Sequence, residues 1–192
     1  MDRSHLLLLA LALAFAPLLS SAASLRPVDV SFIRASCRST RYPALCLQSL
    51  SGYATTVRRS SRQLAHAALA VTLTRAQSAS AFVRAIRSPG RGAGAVQDCA
   101  QTVGDTVDQL QRSMKELGRM GRPGSPGFAW CLSNVQTWVS AALTDQTTCL
   151  DGLSRATRVD PRIRAAIQWK IVHLSQVTSN ALALVNRIGA NH

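Results

Sequence analysis

The side chains able to do chemistry in this sequence are few and badly spaced for catalysis. Beyond residue 23 the histidines are His66, His173 and His192. None has a second imidazole or a thiolate three or four residues away, the spacing that puts two ligands on one helix face for a metal ion. Glu116 is the only glutamate. A dinuclear centre inside a helix bundle takes a carboxylate from each of four helices and Glu-x-x-His pairs, so none can be built. Asp105 and Asp108 share a helix face, but an acidic pair among arginines reads as solvated surface and not as the two carboxyls of a glycosidase. Gly-x-Ser-x-Gly is absent, and the glycines of Gly90–Gly94 follow a helical pattern instead of a strand, which makes a turn and not a phosphate cradle. Cys131 is a lone thiol at a loop-to-helix junction with no imidazole beside it in sequence; it reads as a free thiol, or as one half of an intermolecular disulfide. Trp130, Trp138 and Trp169 have faces that stack on sugar. Trp138 falls on a buried stripe, and Trp130, at a loop edge, is open between core packing and ligand stacking. No catalytic residue, metal or cofactor is expected, and the chemistry that remains is recognition.

The 192 residues suit one domain. Met1 to His5 carries Arg3 and His5, Leu6 to Leu19 is an apolar run broken only by Pro17, and Ser20 to Ser24 are small. This is the pattern of a secretory leader, with cleavage expected after Ala22 or Ala23: residues 1–23 are the leader and 24–192 the mature chain. The run is short for a bilayer span, so no membrane anchoring is expected. In an oxidising space Cys37, Cys46, Cys99, Cys131 and Cys149 form two bridges and leave one thiol, and spacing alone does not choose the pairing. No Asn-x-Ser/Thr site exists. The net charge is +13, carried by twenty arginines and two lysines, and losing Asp2 and Arg3 with the leader leaves it unchanged. Such a balance points to an acidic surrounding or partner.

These residues must be positioned by helices, because strand signals are nearly absent. Residues 28–52 read as a helical hairpin turning around Cys37 to Tyr42, with Pro43 restarting the chain and Gly52 ending it. Residues 60–188 read as four long amphipathic helices. Ser60 or Ser61 caps the first, whose apolar face runs Leu64, Ala68, Val71, Ala79, Phe82 and Ile86 before Ser88-Pro89-Gly90 breaks it. The second carries Val96, Cys99, Val103, Val107, Leu110, Met114 and Leu117, and Gly118 to Gly127 is a loop. The third is expected to start at Ser133 as N-cap and to bury Val135, Trp138, Val139, Ala142, Cys149, Leu150 and Leu153. The fourth opens at Asp160-Pro161 and buries Ile163, Ile167, Ile171, Leu174, Val177 (or Thr178), Ala181, Leu184 and Ile188. Four stripes joined by short loops predict an all-α fold, an antiparallel four-helix bundle preceded by a helical hairpin.

Several blocks stand together in a recognisable order. They are Cys37-x-x-Thr40-x-Tyr42-Pro43-x-x-Cys46-Leu47-x-x-Leu50, Asp98-Cys99, Leu110-Gln111, Ser140 to Thr144, Thr148-Cys149-Leu150-Asp151 and Ser179 to Leu184. In these the mature chain resembles the plant invertase and pectin methylesterase inhibitor family, whose fold is a four-helix bundle with an N-terminal hairpin. The resemblance implies the bridges Cys37–Cys46 and Cys99–Cys149, leaving Cys131 free. Loop-closure entropy puts their contributions at about 2.7 and about 4 kcal/mol. It also implies an inhibitor that occupies the substrate cleft of its target enzyme, with Thr144, Thr148, Asp151 and Gln101 as partner-binding residues on the second and third bundle helices. The expected partner is pectin methylesterase in the plant cell wall, and the alternative is acid invertase. Ser133 to Asp145 looks like methylesterase inhibitors and methylesterase pro-regions. The Pro-Lys-Phe motif of invertase inhibitors is missing, the corresponding loop reading Gly124-Ser125-Pro126-Gly127-Phe128.

A rival of another class is a basic wall protein that holds acidic pectin by charge, through arginine-rich loops such as Arg58-Arg59 and Arg119 to Arg122. Weak association with pectin is also compatible with inhibition. Nucleic acid is not expected, since aromatics are not interleaved with the arginines.

Overall fold

The computed structural model describes residues 27–87 and 90–190, and among them the chain is helical without a strand. The leader expected over residues 1–23 lies outside the described residues. Helices α1 (Pro27–Cys37) and α2 (Pro43–Leu50) form the hairpin. A 3-10 turn (Ser51–Tyr53) and a single helical turn, α3 (Ala54–Val57), lead into the long helices. These are α4 (Ser61–Ala85), α5 (Ala93–Arg119), α6 (Phe128–Arg155) and α7 (Pro161–Ala190).

Local chemistry sets the boundaries. The Ser60 hydroxyl accepts the Gln63 N–H at 3.3 Å and starts α4. The Asp160 carboxylate accepts the N–H groups of Arg162 and Ile163 at 2.8 and 3.3 Å, so Asp160 caps α7 and Pro161 presets its first turn. At the other end of α5, the Arg62 guanidinium donates to the carbonyls of Leu117 and Gly121 at 2.9 and 3.2 Å, placing a cation on the negative end of the helix dipole. The third long helix corrects the expected start. It begins at Phe128, not beyond Ser133, and Ser133 is an exposed residue inside it. Gly127 sits at φ +82°, a backbone state that favours glycine, and so turns the chain early enough to bury Phe128.

The four long helices pack in a closed ring, each against the next in sequence, with α7 returning beside α4. Besides Glu116, the buried positions on α5 are Val96, Cys99, Val103, Thr106, Leu110, Ser113 and Leu117; on α6 they are Phe128, Leu132, Val135, Val139, Ala142, Gln146, Cys149 and Leu153. Both series alternate steps of three and four, the seven-residue repeat of interlocking helices. Small polar residues fill two of these sites on α5. Thr106 and Ser113 are fully buried, whereas Val107 and Met114, expected there, are half-buried beside them. The Thr106 hydroxyl lies 3.1 Å from the Thr102 carbonyl and 3.4 Å from that of Ala142, so its polarity is satisfied while its small size lets α5 and α6 approach. Gln146 occupies the core of α6 and donates to Thr178 of α7 at 3.0 Å. Trp138 and Leu150, expected in the core, are half-buried at its edge.

The hairpin is fastened by side chains far away in sequence. Cys37 and Cys46 are bridged across the turn, and the buried Thr40 hydroxyl donates to the Cys37 carbonyl at 2.8 Å. Buried Asn180 on α7 then makes a two-way amide pair with the backbone of Tyr42. It accepts the Tyr42 N–H at 3.0 Å and donates to the Tyr42 carbonyl at 2.9 Å.

Candidate functional site

The second bridge joins Cys99 of α5 to Cys149 of α6, with Cα atoms 4.3 Å apart. It braces the helix pair that carries every partner-binding residue expected from the sequence. Thr144, Thr148 and Asp151, spaced four and three apart, line one exposed face of α6. The hydroxyl of Thr148 donates to the Thr144 carbonyl at 2.9 Å and that of Thr144 to the Ser140 carbonyl at 3.2 Å. Their protons are spent within the helix, which leaves methyl groups and oxygen lone pairs for a partner. Asp151 lies 3.6 Å from Arg155, both well exposed, a pair that contributes little to stability and leaves the carboxylate accessible. Gln101 stands apart from these three. It is exposed on α5, two residues beyond the braced Cys99, and lines the groove between α5 and α4 with Gln77, Arg84, Asp105 and Asp108.

Negative charge collects on α5 and α6. Asp145, half-buried on α6, has one carboxylate oxygen with no hydrogen-bond partner among the described residues. Burial, and then the charge of Asp105, hold its carboxyl above the usual range. Cys131 is free, as expected, but its neighbour is a carboxylate and not an imidazole. The thiol hydrogen-bonds Glu116, which also accepts from Asn134 at 3.4 Å. That contact raises the Cys131 thiol above its ordinary value, with burial adding to it, and lowers the Glu116 carboxyl. A thiol kept protonated is a poor nucleophile. Among the described residues no group of three or more His, Cys, Asp or Glu is placed to hold a metal ion, and no helix is long and apolar enough to cross a membrane.

The opposite side of the bundle groups Trp169, named from the sequence, with His173 and Arg75, which sequence reasoning did not join to it. Trp169 is 73 % exposed on α7, and its ring stacks near-parallel to His173, with centroids 6.1 Å apart. Nη1 of Arg75 on α4 lies 3.0 and 3.2 Å from the two ring nitrogens of His173, and its Nη2 reaches the Ser49 hydroxyl at 3.3 Å. Burial, and then the Arg75 charge, push His173 below its ordinary value, which favours the neutral ring that can accept from the guanidinium. The available signal was the i, i+4 spacing of Trp169 and His173, off the apolar stripe of their helix. Trp130 is also exposed, at 72 %, which excludes the core-packing reading for it.

Comparison with known proteins agrees with this architecture and with the sequence blocks. Residues 31–184 match the family model for the plant invertase/pectin methylesterase inhibitor. The chain is 46 % identical over 175 residues to "Pectinesterase inhibitor 9" of Arabidopsis thaliana, covering 88 % of this chain and 85 % of the relative. It is 42 % identical over 176 residues to "21 kDa protein" of Daucus carota, covering 90 % of each. Among solved structures, a mutant form of a pectin methylesterase inhibitor from Arabidopsis shares the fold, with a TM-score of 0.60 over 82 % of this chain and 95 % of that one, at 21 % identity. With its helical hairpin, its four-helix bundle and a family match across nearly all of the described residues, the chain belongs to the plant invertase/pectin methylesterase inhibitor family.

Proposed function

We propose that this protein is a secreted inhibitor of pectin methylesterase, acting by covering the enzyme's substrate cleft with one face of α5 and α6. The observation that carries this reading is the 46 % identity, over most of both chains, to a protein named a pectinesterase inhibitor. The invertase alternative is not favoured: that relative carries the pectinesterase name, and the loop at Gly124 to Phe128 lacks Pro-Lys-Phe. The protein has no reaction of its own in this reading. Its work is steric exclusion, and the braced α5–α6 pair suits it because a rigid face loses little conformational entropy on binding. Thr144, Thr148 and Asp151 form the contact line, and Gln101 contributes from α5 at its margin. Secretion into the wall space rests on the leader pattern and on two disulfides, bonds that persist in oxidising compartments.

The contact line is tested by reversing one charge. Asp151→Arg is expected to raise the inhibition constant against pectin methylesterase by about tenfold while leaving the melting temperature unchanged, since its ion pair with Arg155 is solvent-exposed. An unaltered inhibition constant removes Asp151 from the interface.

A second reading, association with acidic wall polysaccharide, has its own support. Helices α4 and α7 carry seven arginines and lysines and no carboxylate.

A further inference from the structure

The α4–α7 surface combines an exposed aromatic plate with cations that have no carboxylate to pair with. Arg62, Arg75 and Arg84 are the charged residues of α4; Arg162, Arg164, Lys170 and Arg187 are those of α7. Neither Arg75 nor Lys170 has an ion pair among the described residues. Helix α2, which closes one end of this surface, has no charged residue at all. Between α4 and α7 runs a shallow groove lined by Arg75, Ser78, Trp169, Lys170, His173 and Leu174. One wall is the Trp169–His173 stack, and the cations lie across and beside it. Lys170 Nζ is held 5.2 Å from the centre of the Phe82 ring, which fixes the ammonium beside the groove.

An exposed tryptophan is costly to leave in water, and this one has one ring stacked beside it, that of His173, and 73 % of its surface open to a ligand. The electron-rich face of an indole attracts the C–H-bearing face of a sugar ring, whose hydrogens carry partial positive charge. Cations lining the same groove as such a plate match a carboxylate carried at the edge of the same ring. We propose that this groove is a binding site for an acidic oligosaccharide of uronic acid units, with one ring stacked on Trp169 and its carboxylate met by Arg75 or Lys170. The hydroxyl of Ser78, which also lines the groove, is a hydrogen-bonding group that tolerates either orientation of a sugar hydroxyl. The site deepens the polysaccharide reading by giving it a place, and it is independent of inhibition: it lies on α4 and α7, away from the contact line on α6. A protein with both surfaces holds the polymer with one side and presents the other to an enzyme working on it.

The test titrates the oxidised mature protein with a de-esterified oligogalacturonide, following Trp fluorescence and heat of binding at low salt. A fully methyl-esterified oligomer of the same length and a single-stranded DNA of matched charge serve as comparison probes. Expected results are saturable binding of the de-esterified oligomer, weakening of about tenfold for the esterified one, and loss of about tenfold in affinity for Trp169→Ala and for Lys170→Gln. Inhibition of pectin methylesterase by Trp169→Ala is expected to match that of the parent, so failure here and failure of the inhibitor reading are separately visible. Equal affinity of parent and Trp169→Ala for the oligogalacturonide overturns the site. So does equal affinity for the DNA with the same indifference to Trp169, which would leave only diffuse charge attraction. Lys170→Gln, an exchange at the surface end of a side chain, keeps the test valid should Trp169→Ala fold poorly.

Discussion

The α5–α6 half and the α4–α7 half of the bundle meet the same packing demand with different chemistry. Across α5 and α6, six carboxylates stand beside four cations, and the pair is locked by a disulfide and by an uninterrupted seven-residue repeat with Thr106, Ser113 and Gln146 inside it. Across α4 and α7 there are seven cations and no carboxylate; α4 buries a run of small residues, Ala65, Ala68, Thr72, Ala76 and Ala79, and the hairpin docks on this half through Asn180. The first half is braced and electrically mixed, as the proposed protein-binding face requires. The second is uniformly basic with one flat aromatic outside, as the proposed polysaccharide site requires. Because only the inward stripe of each helix is needed for folding, the outward faces are free to diverge.

The largest expected effect lies in the brace. Replacing Cys149 with serine opens a loop of fifty residues and is expected to lower unfolding free energy by about 4 kcal/mol, read from urea denaturation of the oxidised protein. A loss below about 1 kcal/mol would mean that the seven-residue packing alone holds the α5–α6 pair. On the other half the hairpin dock is the weak point. Asn180→Ala strands the half-buried N–H of Tyr42, whose carbonyl keeps the Cys46 N–H at 2.9 Å, and is expected to cost about 2 kcal/mol, with faster amide hydrogen exchange confined first to α1 and α2. Uniform acceleration across α4 and α7 would show that the hairpin and the bundle open as one unit.

Smaller effects distinguish the interiors. Gln146→Leu removes the bond to Thr178 but also a buried amide oxygen that has no partner among the described residues. The two terms oppose each other, and the change in stability is expected to stay within about 1 kcal/mol, a fraction of the asparagine loss. The smallest effect is electrostatic. Asp145 holds its proton more tightly in the fold than in the unfolded chain, through burial and the nearby Asp105. Its protonation therefore stabilises the fold fully below the ordinary carboxylate range, and that contribution is lost as pH rises through the higher folded-state value. Asp145→Asn is expected to flatten this slope above the ordinary carboxylate range and to be the more stable protein at the neutral end. An unchanged slope would place the pH dependence elsewhere.

The stripes of Ile, Leu and Val made the bundle legible, since only a helix puts Ile167, Ile171 and Leu174 on one side. The caps at Ser60 and Asp160 were legible for the same reason: their chemistry is local. Residues whose burial depends on a partner helix were not. Thr106, Ser113 and Gln146 look like surface residues until the seven-residue repeat is continued through them, and Val107 and Met114 then drop to the margin. Ser133 carried a cap signal that Gly127 and Phe128 outweighed, because burying a phenyl ring outweighs one side-chain hydrogen bond. The Asn180–Tyr42 pair joins residues 138 apart, and nothing local announces it. For the proposed contact line the sequence blocks named Thr144, Thr148 and Asp151, which share one face; Gln101 came from the same resemblance and lies on another helix. The absence of carboxylates from α4 and α7 was countable in the sequence, but it acquires meaning only when the two helices are neighbours.

The central claim is tested most directly by a dose titration of the oxidised mature protein against purified pectin methylesterase and acid invertase, side by side at mildly acidic pH. Saturable loss of methylesterase activity, with invertase untouched, is the expected result. Loss of invertase activity alone, or of neither, contradicts the account.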